Sequence, residues 1–278
     1  MPARRSSKKS PELDPSGSRF RVVDAEPDLA PGHPEIARIV APNPGPMTLT
    51  GTCTYLFGSD PCVVIDPGPA IESHIEAIRA AGEERGGIEG VLLTHGHGDH
   101  SDGVRMLGEA RIDLADGEQH AGLTALATPG HAPDHLAYLT NPAAPRREAE
   151  EAAGRVCFSG DLVLGEGSSI VPADPGAMSA YLDSLRRLQE IDLKLICPGH
   201  GPWVTDPAAK LEQYVEHRLM RERRLVAALE RGERSRAALL AEVWEDVDEP
   251  LRPAAAIAMQ AHLNKLEAEG RLPAGLEA

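Results

Sequence analysis

Aromatic side chains and long apolar runs are both scarce in this chain of 278 residues. It has two Trp, four Tyr and three Phe, so few rings are available to stack on the bases of single-stranded nucleic acid. No apolar run approaches the roughly 20 residues that a helix needs to span a bilayer. This second shortage excludes an integral membrane protein.

Positive charge is also in short supply. Lys and Arg total 28 against 43 Asp and Glu, and the formal net charge is −15. The acidic excess is concentrated in residues 20–206, which carry 12 basic and 28 acidic side chains. Because DNA or RNA binding by counterion release needs clustered cations, this balance disfavours a broadly basic nucleic-acid binder.

Cysteines with a metal-binding or redox spacing are absent as well. The four cysteines form neither a CxxC pair nor a zinc-ribbon pattern. Cys157 and Cys197 lie in apolar, strand-like runs, which predicts buried free thiols. Free thiols fit a reducing compartment, so the sequence predicts a cytoplasmic protein. Residues 1–19 lack the apolar stretch of a secretory signal, and we expect them to form a disordered tail.

Short strand-like segments dominate residues 20–206. With few helices between them, they predict two packed sheets flanked by helices rather than a doubly wound parallel sheet. After Pro207 the pattern becomes helical, and three helical segments end near Gly270. We therefore expect a second, smaller domain at 207–278 of the helix-turn-helix or winged-helix type.

The most informative stretch of the chain is the cluster THGHGDH at residues 94–100. Three histidines and an aspartate follow directly on the apolar run Val91–Leu93. A single histidine is usually structural, but four ligand-type side chains within six residues are typical of a metal site. The glycines between them allow the tight turns that aim several side chains at one point.

Three further candidates each follow a predicted strand and a glycine. They are His131 in Thr-Pro-Gly-His, Asp161 in Phe-Ser-Gly-Asp and His200 in Cys-Pro-Gly-His. Each is weak when taken singly, because a Pro-Gly-His sequence is most often only a turn. Together with the cluster they supply five imidazoles and two carboxylates, which is enough for two neighbouring metal ions.

In this order, HxHxDH followed by His, Asp and His, the residues resemble the metallo-β-lactamase superfamily of binuclear hydrolases. The resemblance implies an αββα sandwich over residues 20–206. It also implies two ligand sets, with His95, His97 and His131 on one ion and Asp99, His100 and His200 on the other. Asp161 would bridge the ions, and Asp66 in Val-Val-Ile-Asp-Pro-Gly would orient ligands from behind. A turn-capping role is the alternative for Asp66.

Such a site implies hydrolysis. Two cations in one cavity lower the pKa of a bridging water, which supplies hydroxide near neutral pH, and they polarise the bond that is attacked. Imidazole-rich ligation suits Zn²⁺, with iron or manganese as alternatives. Asp99 is also a candidate catalytic residue that accepts or relays a proton. His135 either supports the ligands or faces the substrate, with a plain loop histidine as the alternative.

Four further stretches resemble the lactamase-β-like endoribonuclease group, whose tail is a winged-helix-like domain. They are Asn43–Leu56, Cys197–Pro202, Tyr214–Arg218 and His262–Gly270. The resemblance implies cleavage of phosphodiester bonds in single-stranded RNA. Related sequences act as thioesterases, so a thioesterase or lactonase of the glyoxalase II kind, acting on a small-molecule substrate, is the second hypothesis. The third is a metal-sensing nucleic-acid-binding protein.

An arginine-rich segment bears on the choice between these substrates. Residues 218–236 contain seven arginines and three glutamates, and arginine suits bidentate contact with phosphate. On this hypothesis Arg218 binds substrate. The alternative is a solvated amphipathic helix with internal ion pairs, and the acidity of residues 20–206 counts against RNA.

One departure from the family pattern is Asp102, which stands where glycine is common. A carboxylate that faced the cavity would repel phosphate, whereas one at the start of a helix would cap it. We expect Asp102 to cap the helix that follows.

Overall fold

Two five-stranded sheets form the larger part of the protein. The computed structural model describes residues 27–141 and 154–276, so the predicted tail at 1–19 lies outside the described residues. The strands of the first sheet lie in chain order: β1 (Asp28–Ala30), β2 (His33–Val40), β3 (Cys53–Phe57), β4 (Cys62–Ile65) and β5 (Ile88–Leu92). Neighbours are antiparallel except β4 and β5, which are parallel and are joined by helix α1 (Glu72–Glu84).

The second sheet is formed by later strands of the chain and also contains one parallel pair among antiparallel neighbours. From one edge to the other, its strands are β10 (Leu193–Pro198), β9 (Arg155–Gly160), β8 (Leu136–Thr140), β7 (Leu123–Ala127) and β6 (Gln119–His120). β9 and β10 are parallel, and helix α4 (Ala177–Gln189) connects them. A crossover helix is needed in both sheets because a tight turn cannot join parallel strands.

Helices cover the outer face of each sheet. α1 and the short helix α3 (Gly103–Leu107) pack on the first sheet through Ile75 and Leu107. α4 packs on the second sheet through Tyr181 and Leu185. The predicted αββα sandwich is therefore confirmed.

The central strands are apolar on both faces because both faces are covered. In β4, Val63 and Ile65 face the second sheet, whereas Cys62 and Val64 face α1. This double burial explains why the strand reads as a continuous apolar run instead of an alternating one. All four cysteines are buried and free, as predicted for Cys157 and Cys197.

A long helix, α5 (Pro207–Glu230), links the sandwich to a small helical unit. Leu211 and Tyr214 in its first half pack into the core under α4, whereas Leu225 and Leu229 in its second half pack against the last helices. These are α6 (Arg236–Val243) and α7 (Arg252–Ala268), with a 3-10 turn at Glu249–Leu251 between them. α5 begins at the predicted domain boundary, but its residues belong to both cores. Among residues 27–141 and 154–276, no helix combines the length and apolar character needed to cross a membrane.

A buried carboxylate lies at the centre of the helical unit. Glu222 on α5 is 6% exposed, and its oxygens lie 2.8 Å from Lys265 Nζ and 2.7 Å from Arg271 Nη1. The Nδ1 atom of His262 is 3.9 Å away. Interactions with His262, Lys265 and Arg271 outweigh the effect of burial and hold the pKa of Glu222 well below its usual value.

We expect Glu222→Gln to destabilise the protein at neutral pH by about 2 kcal/mol, the size of a hydrogen-bond contribution with charged partners. The pKa of the folded state lies below the ordinary value of 4.5. The ionised carboxylate therefore stabilises the fold above that pH, and the effect is lost as the pH falls through the folded-state pKa. Urea unfolding should show the difference from wild type shrinking in acid.

The matched control for this experiment is Glu216→Gln on the exposed side of the same helix. Glu216 is 60% exposed beside Arg223, and its replacement should change the unfolding free energy by no more than about 0.5 kcal/mol. A wild-type advantage over Glu222→Gln that stayed constant at every pH would contradict an ionic origin.

Candidate metal centre

Loops after four strands bring the predicted ligands to one end of the sandwich. The loop after β5 carries His95 and His97, and the single-turn helix α2 (Gly98–Ser101) carries Asp99 and His100. β7, β9 and β10 run in one direction, so the loops that follow them meet at the same edge of the second sheet. These loops carry His131, Asp161 and His200.

Three histidines form the first ligand group. The Nδ1 atom of His97 lies 2.9 Å from Nε2 of His95 and 3.0 Å from Nε2 of His131. The three ring nitrogens fall within 4.8 Å of one another, close enough to hold one metal ion. His97 is exposed, so this group opens to solvent.

Asp99, His100 and His200 form the second group. Oδ2 of Asp99 lies 3.5 Å from Nε2 of His100 and 3.2 Å from Nε2 of His200. Asp161 lies between the groups: its Oδ1 is 3.4 Å from each of those two ring nitrogens, and its Oδ2 is 3.7 Å from Nε2 of His131. The structure thus brings all seven predicted ligands together, and Asp161 faces both groups with different oxygens.

Four of the five rings are oriented by a hydrogen bond on their outer side. The Nδ1 atoms of His95, His100, His131 and His200 donate to Thr94 Oγ1 (3.0 Å), Asp66 Oδ2 (2.9 Å), Ile170 O (2.8 Å) and Gly51 O (3.3 Å), respectively. With Nδ1 engaged on the outer side, Nε2 of each ring points into the site. Such outer partners set the tautomer and the ring orientation that metal ligation needs.

Asp66 supports this arrangement from behind. Its carboxylate is 2% exposed and accepts hydrogen bonds from Thr94 N and Thr94 Oγ1, both at 2.7 Å, as well as from His100. Its φ of 52° lies in the left-handed region, where the Thr54 hydroxyl holds its carbonyl oxygen at 2.6 Å. Asp66 therefore contacts the cluster directly and is more than a turn residue.

Close packing also explains Gly199, the glycine that precedes His200. A Cβ atom on Gly199 would lie 2.4 Å from Oδ1 of Asp161 and 2.7 Å from Cε1 of His100. Both distances are far below normal contact, so a side chain here would push the ligands apart. The positions of Asp161 and His100 therefore require a glycine at 199.

Charge is separated across the site. Burial, followed by the nearby rings of His100 and His135, lowers the pKa of His95 to about 2, so this ring is neutral near pH 7. Burial also opposes protonation of His100, but Asp161 and Asp66 outweigh it and hold the pKa of His100 well above its usual value. The pKa of Asp161 lies well below its usual range because His100 and His200 outweigh burial. Asp161 and Asp66 therefore favour positive charge around His100.

The donor set fits divalent cations. Among the described residues, Nε2 of His100 and Oδ1 of Asp161 are buried without a hydrogen-bond partner, and such atoms are costly unless something binds them. Imidazole nitrogens mixed with carboxylate oxygens suit Zn²⁺, iron and manganese. The cluster is therefore able to bind metal.

His135 lies behind the first ligand group. It is 1% exposed, its ring centroid is 5.2 Å from that of His95, and its Nδ1 is 2.8 Å from the hydroxyl of Thr128. Burial, followed by the charge of a protonated His131, lowers its pKa to about 3. The ring is thus closed off from solvent, and its supporting role stays a prediction.

Two other predicted residues, Arg218 and Asp102, make contacts that the sequence did not indicate, and for Asp102 the predicted cap is wrong. Arg218 is 4% exposed, and its guanidinium donates to Ser168 Oγ and to the carbonyl oxygen of Ser169, so internal contacts engage it and its binding of substrate stays a prediction. Asp102 stands at the start of α3, but its side chain makes no capping hydrogen bond. Its carboxylate lies against Gly98 instead, 2.8 Å from the position of a Cβ there.

The sequence interpretation missed Thr94 and Ser169. Thr94 joins Asp66 to His95, whereas the Ser169 hydroxyl donates to the carbonyl oxygen of Asp161 and lies 3.4 Å from Nδ1 of His131. Thr94 directly precedes the histidine cluster, which could have drawn attention to it. A lone serine in an irregular loop carries no comparable signal.

Comparison with known proteins agrees with this fold. Residues 47–121 match the profile of the Metallo-beta-lactamase superfamily, and residues 235–272 match that of the Beta-lactamase associated winged helix domain. A Beta-lactamase domain protein from Burkholderia ambifaria has the same fold, with a TM-score of 0.70 and 19% sequence identity over 90% of this chain and 92% of that one.

Three curated relatives share more of the sequence. The Beta-lactamase-like protein 2 homolog of Drosophila melanogaster is 30% identical over 85% of this chain and 89% of its own length. Atrochrysone carboxyl ACP thioesterase of Aspergillus chevalieri is 33% identical over 81% of this chain and 74% of its own. Lactamase-like protein adaB of Aspergillus niger is 36% identical over 71% of this chain, which spans 64% of that protein. The chain belongs to the metallo-β-lactamase superfamily of hydrolases.

Proposed function

We propose that this chain is a metal-dependent hydrolase of small acyl thioesters or esters. The observation that carries the proposal is the pair of ligand groups that share Asp161. Two divalent ions suit this arrangement, and the imidazole-rich donors favour Zn²⁺, with iron or manganese as alternatives. A relative named as a thioesterase, 33% identical over 249 residues, supports an acyl substrate.

Each ligand group would hold one ion. His95, His97 and His131 would bind the first, Asp99, His100 and His200 would bind the second, and Asp161 would serve both. When bound, the two ions would polarise the acyl carbonyl group and lower the pKa of a water molecule in the cavity. The chain contributes the orientation of every ring, through the outer hydrogen bonds described above.

Asp99 is the carboxylate best placed to move a proton. Its side chain is 31% exposed, against 13% for Asp161. Burial opposes its ionisation, but the hydrogen bond to His200 and the charge of His100 lower its pKa to about 2. Its carboxylate is therefore ionised at neutral pH, and we assign to Asp99 the acceptance of the proton that the attacking water loses and its transfer to the leaving thiolate or alkoxide.

RNA cleavage is the weaker candidate because the arginines that favoured it are engaged within the protein. Arg221 pairs with Asp246, Arg223 with Glu216, Arg224 with Glu245 and Arg231 with Glu242, and Arg234 donates to the carbonyl oxygen of Leu229. Three of these pairs reach residues 242–246, so they differ from the pairs within one solvated helix that the sequence offered as the alternative. RNA cleavage stays a prediction.

A cytoplasmic location is part of the proposal. All four thiols are free and buried, which supports a reducing compartment.

We expect the zinc-loaded protein to hydrolyse an acyl N-acetylcysteamine thioester and to leave labelled single-stranded RNA intact. A chelator should abolish thioester turnover, and zinc should restore it. His97→Ala, which removes a donor from the first group, should lower turnover strongly. Zinc-dependent RNA cleavage without thioester turnover, lost in His97→Ala, would overturn the proposal, whereas RNA cleavage that persists in the variant indicates a contaminating nuclease.

A further inference from the structure

Arg218 lies between the helical unit and the metal centre. It projects from α5 and is 4% exposed, and its Cζ atom stands 5.2 Å from the centre of the Tyr181 ring. Its Nη2 donates to Ser168 Oγ at 2.8 Å and to the carbonyl oxygen of Ser169. A buried cation costs desolvation and is retained where its contacts compensate, and here they converge on one short segment.

The other side of that segment contacts two of the proposed ligands. The Ser169 hydroxyl donates to the carbonyl oxygen of Asp161, and the carbonyl oxygen of Ile170 accepts from Nδ1 of His131 at 2.8 Å. Residues 168–170 belong to neither helix nor strand, since they lie between β9 and α4. Their position therefore depends on side-chain contacts from other elements.

A second contact from the helical unit reaches the same connection. Nδ2 of Asn264, on α7, donates to the carbonyl oxygen of Ala173 at 2.5 Å. Arg218 and Asn264 thus hold the β9–α4 connection from helices that also form the core of the helical unit.

We propose that Arg218 is a positioning residue for the metal centre. It fixes residues 168–170 so that Nε2 of His131 and the carboxylate of Asp161 face their cation. Its Nη2 binds both acceptors while its Cζ lies over the Tyr181 ring, and the ammonium group of lysine does not reproduce this combination of hydrogen bonding and stacking. This inference rests on the proposed function, because it concerns the ligands of that same centre.

Zinc affinity of the full-length protein, measured by competition with a chromophoric chelator, tests the proposal. Loss of a group that orients a ligand from outside typically weakens metal binding about 10–100-fold, and we expect this of Arg218→Met. Its cobalt-substituted form should also show a changed absorption spectrum in the visible range. Arg218→Lys should restore only part of the affinity.

Arg221→Met is the matched control. Arg221 is also buried on α5, at 3% exposure, but it binds Asp246 and the carbonyl oxygen of Val243 in the helical unit. The control should lower stability to urea as Arg218→Met does, while zinc affinity and cobalt spectrum stay as in wild type. An equal loss of zinc affinity in both variants would show general unfolding of the junction and would overturn the inference.

Ser169→Ala provides a test that does not depend on the buried arginine. It removes the hydroxyl that joins residues 168–170 to Asp161 and His131. The cobalt spectrum should change in the same direction as in Arg218→Met. In the double variant with Arg218→Met, the two losses of zinc affinity should be less than additive, because both act through one segment. Wild-type affinity in both single variants would refute the role of Arg218, whereas a wild-type protein that binds neither zinc nor cobalt would refute the proposed function itself.

Discussion

Replacing Asp161 with Asn should lower kcat/KM by about a thousandfold, the equivalent of several kcal/mol of lost charge stabilisation. The two carboxylate oxygens face different ligand groups. Oδ1 lies 3.4 Å from Nε2 of His100 and of His200, whereas Oδ2 lies 3.7 Å from Nε2 of His131. An amide keeps the shape but loses the negative charge and offers only one acceptor oxygen. One ligand group therefore loses its contact.

Metal content and activity should fall together in this variant. We expect zinc analysis to give a lower stoichiometry than wild type, with little change in the urea unfolding midpoint once the metal has been removed from both. Asp183→Asn is a suitable control, since Asp183 is 71% exposed on α4 and pairs with Arg186 one turn along the helix. Full metal content and full activity in Asp161→Asn would contradict a shared carboxylate.

Replacing Asp66 with Asn should weaken both the fold and the metal site. Three donors point at this carboxylate: Thr94 N, Thr94 Oγ1 and His100 Nδ1, at 2.7, 2.7 and 2.9 Å. An amide turns its NH₂ group toward at least one of them and leaves a buried donor unpaired. Removing one partner of a buried charged pair costs about 3–5 kcal/mol, and we expect a loss near the lower figure because the amide retains one acceptor.

Zinc affinity should fall about 10–100-fold in the same variant, because His100 loses the partner that sets its tautomer. Thermal unfolding of the metal-free protein separates the stability effect from the metal effect, which the chelator competition measures. Asp113→Asn serves as the control, because Asp113 is 74% exposed beside Arg111. Unchanged zinc affinity together with reduced stability would assign Asp66 a purely structural role.

The features that the sequence predicted correctly are local ones. Apolar strands separated by turns predicted the two sheets, and burial of β4 on both faces shows why its apolar run was continuous. The density of histidines at 94–100 marked a metal site because nothing in a packed core needs so many imidazoles together. His131, Asp161 and His200 were separable from ordinary turns only by their order along the chain.

Contacts between distant parts of the chain were the main ones that the sequence did not reveal. Arg218 and Ser168 are 50 positions apart, so the segment around Arg218 gives no sign that its guanidinium points inward. The remaining arginines of 218–236 fitted either phosphate contact or a solvated, ion-paired helix, because most of their acidic partners lie outside that segment, at residues 242–246. Asp102 occupies a capping position, but the backbone there is already helical and no cap forms.

The amino-acid sequence alone determined which elements form and which side chains are able to ligate a metal, because both depend on residue type and short-range periodicity. Only the tertiary structure decided which oxygen of Asp161 faces which ligand group, which atoms hold each imidazole from outside, and that an arginine of the helical unit reaches the loop behind His131. These outcomes depend on how strands and helices far apart in the chain pack against one another. Packing of that kind is a property of the whole fold and leaves no local pattern.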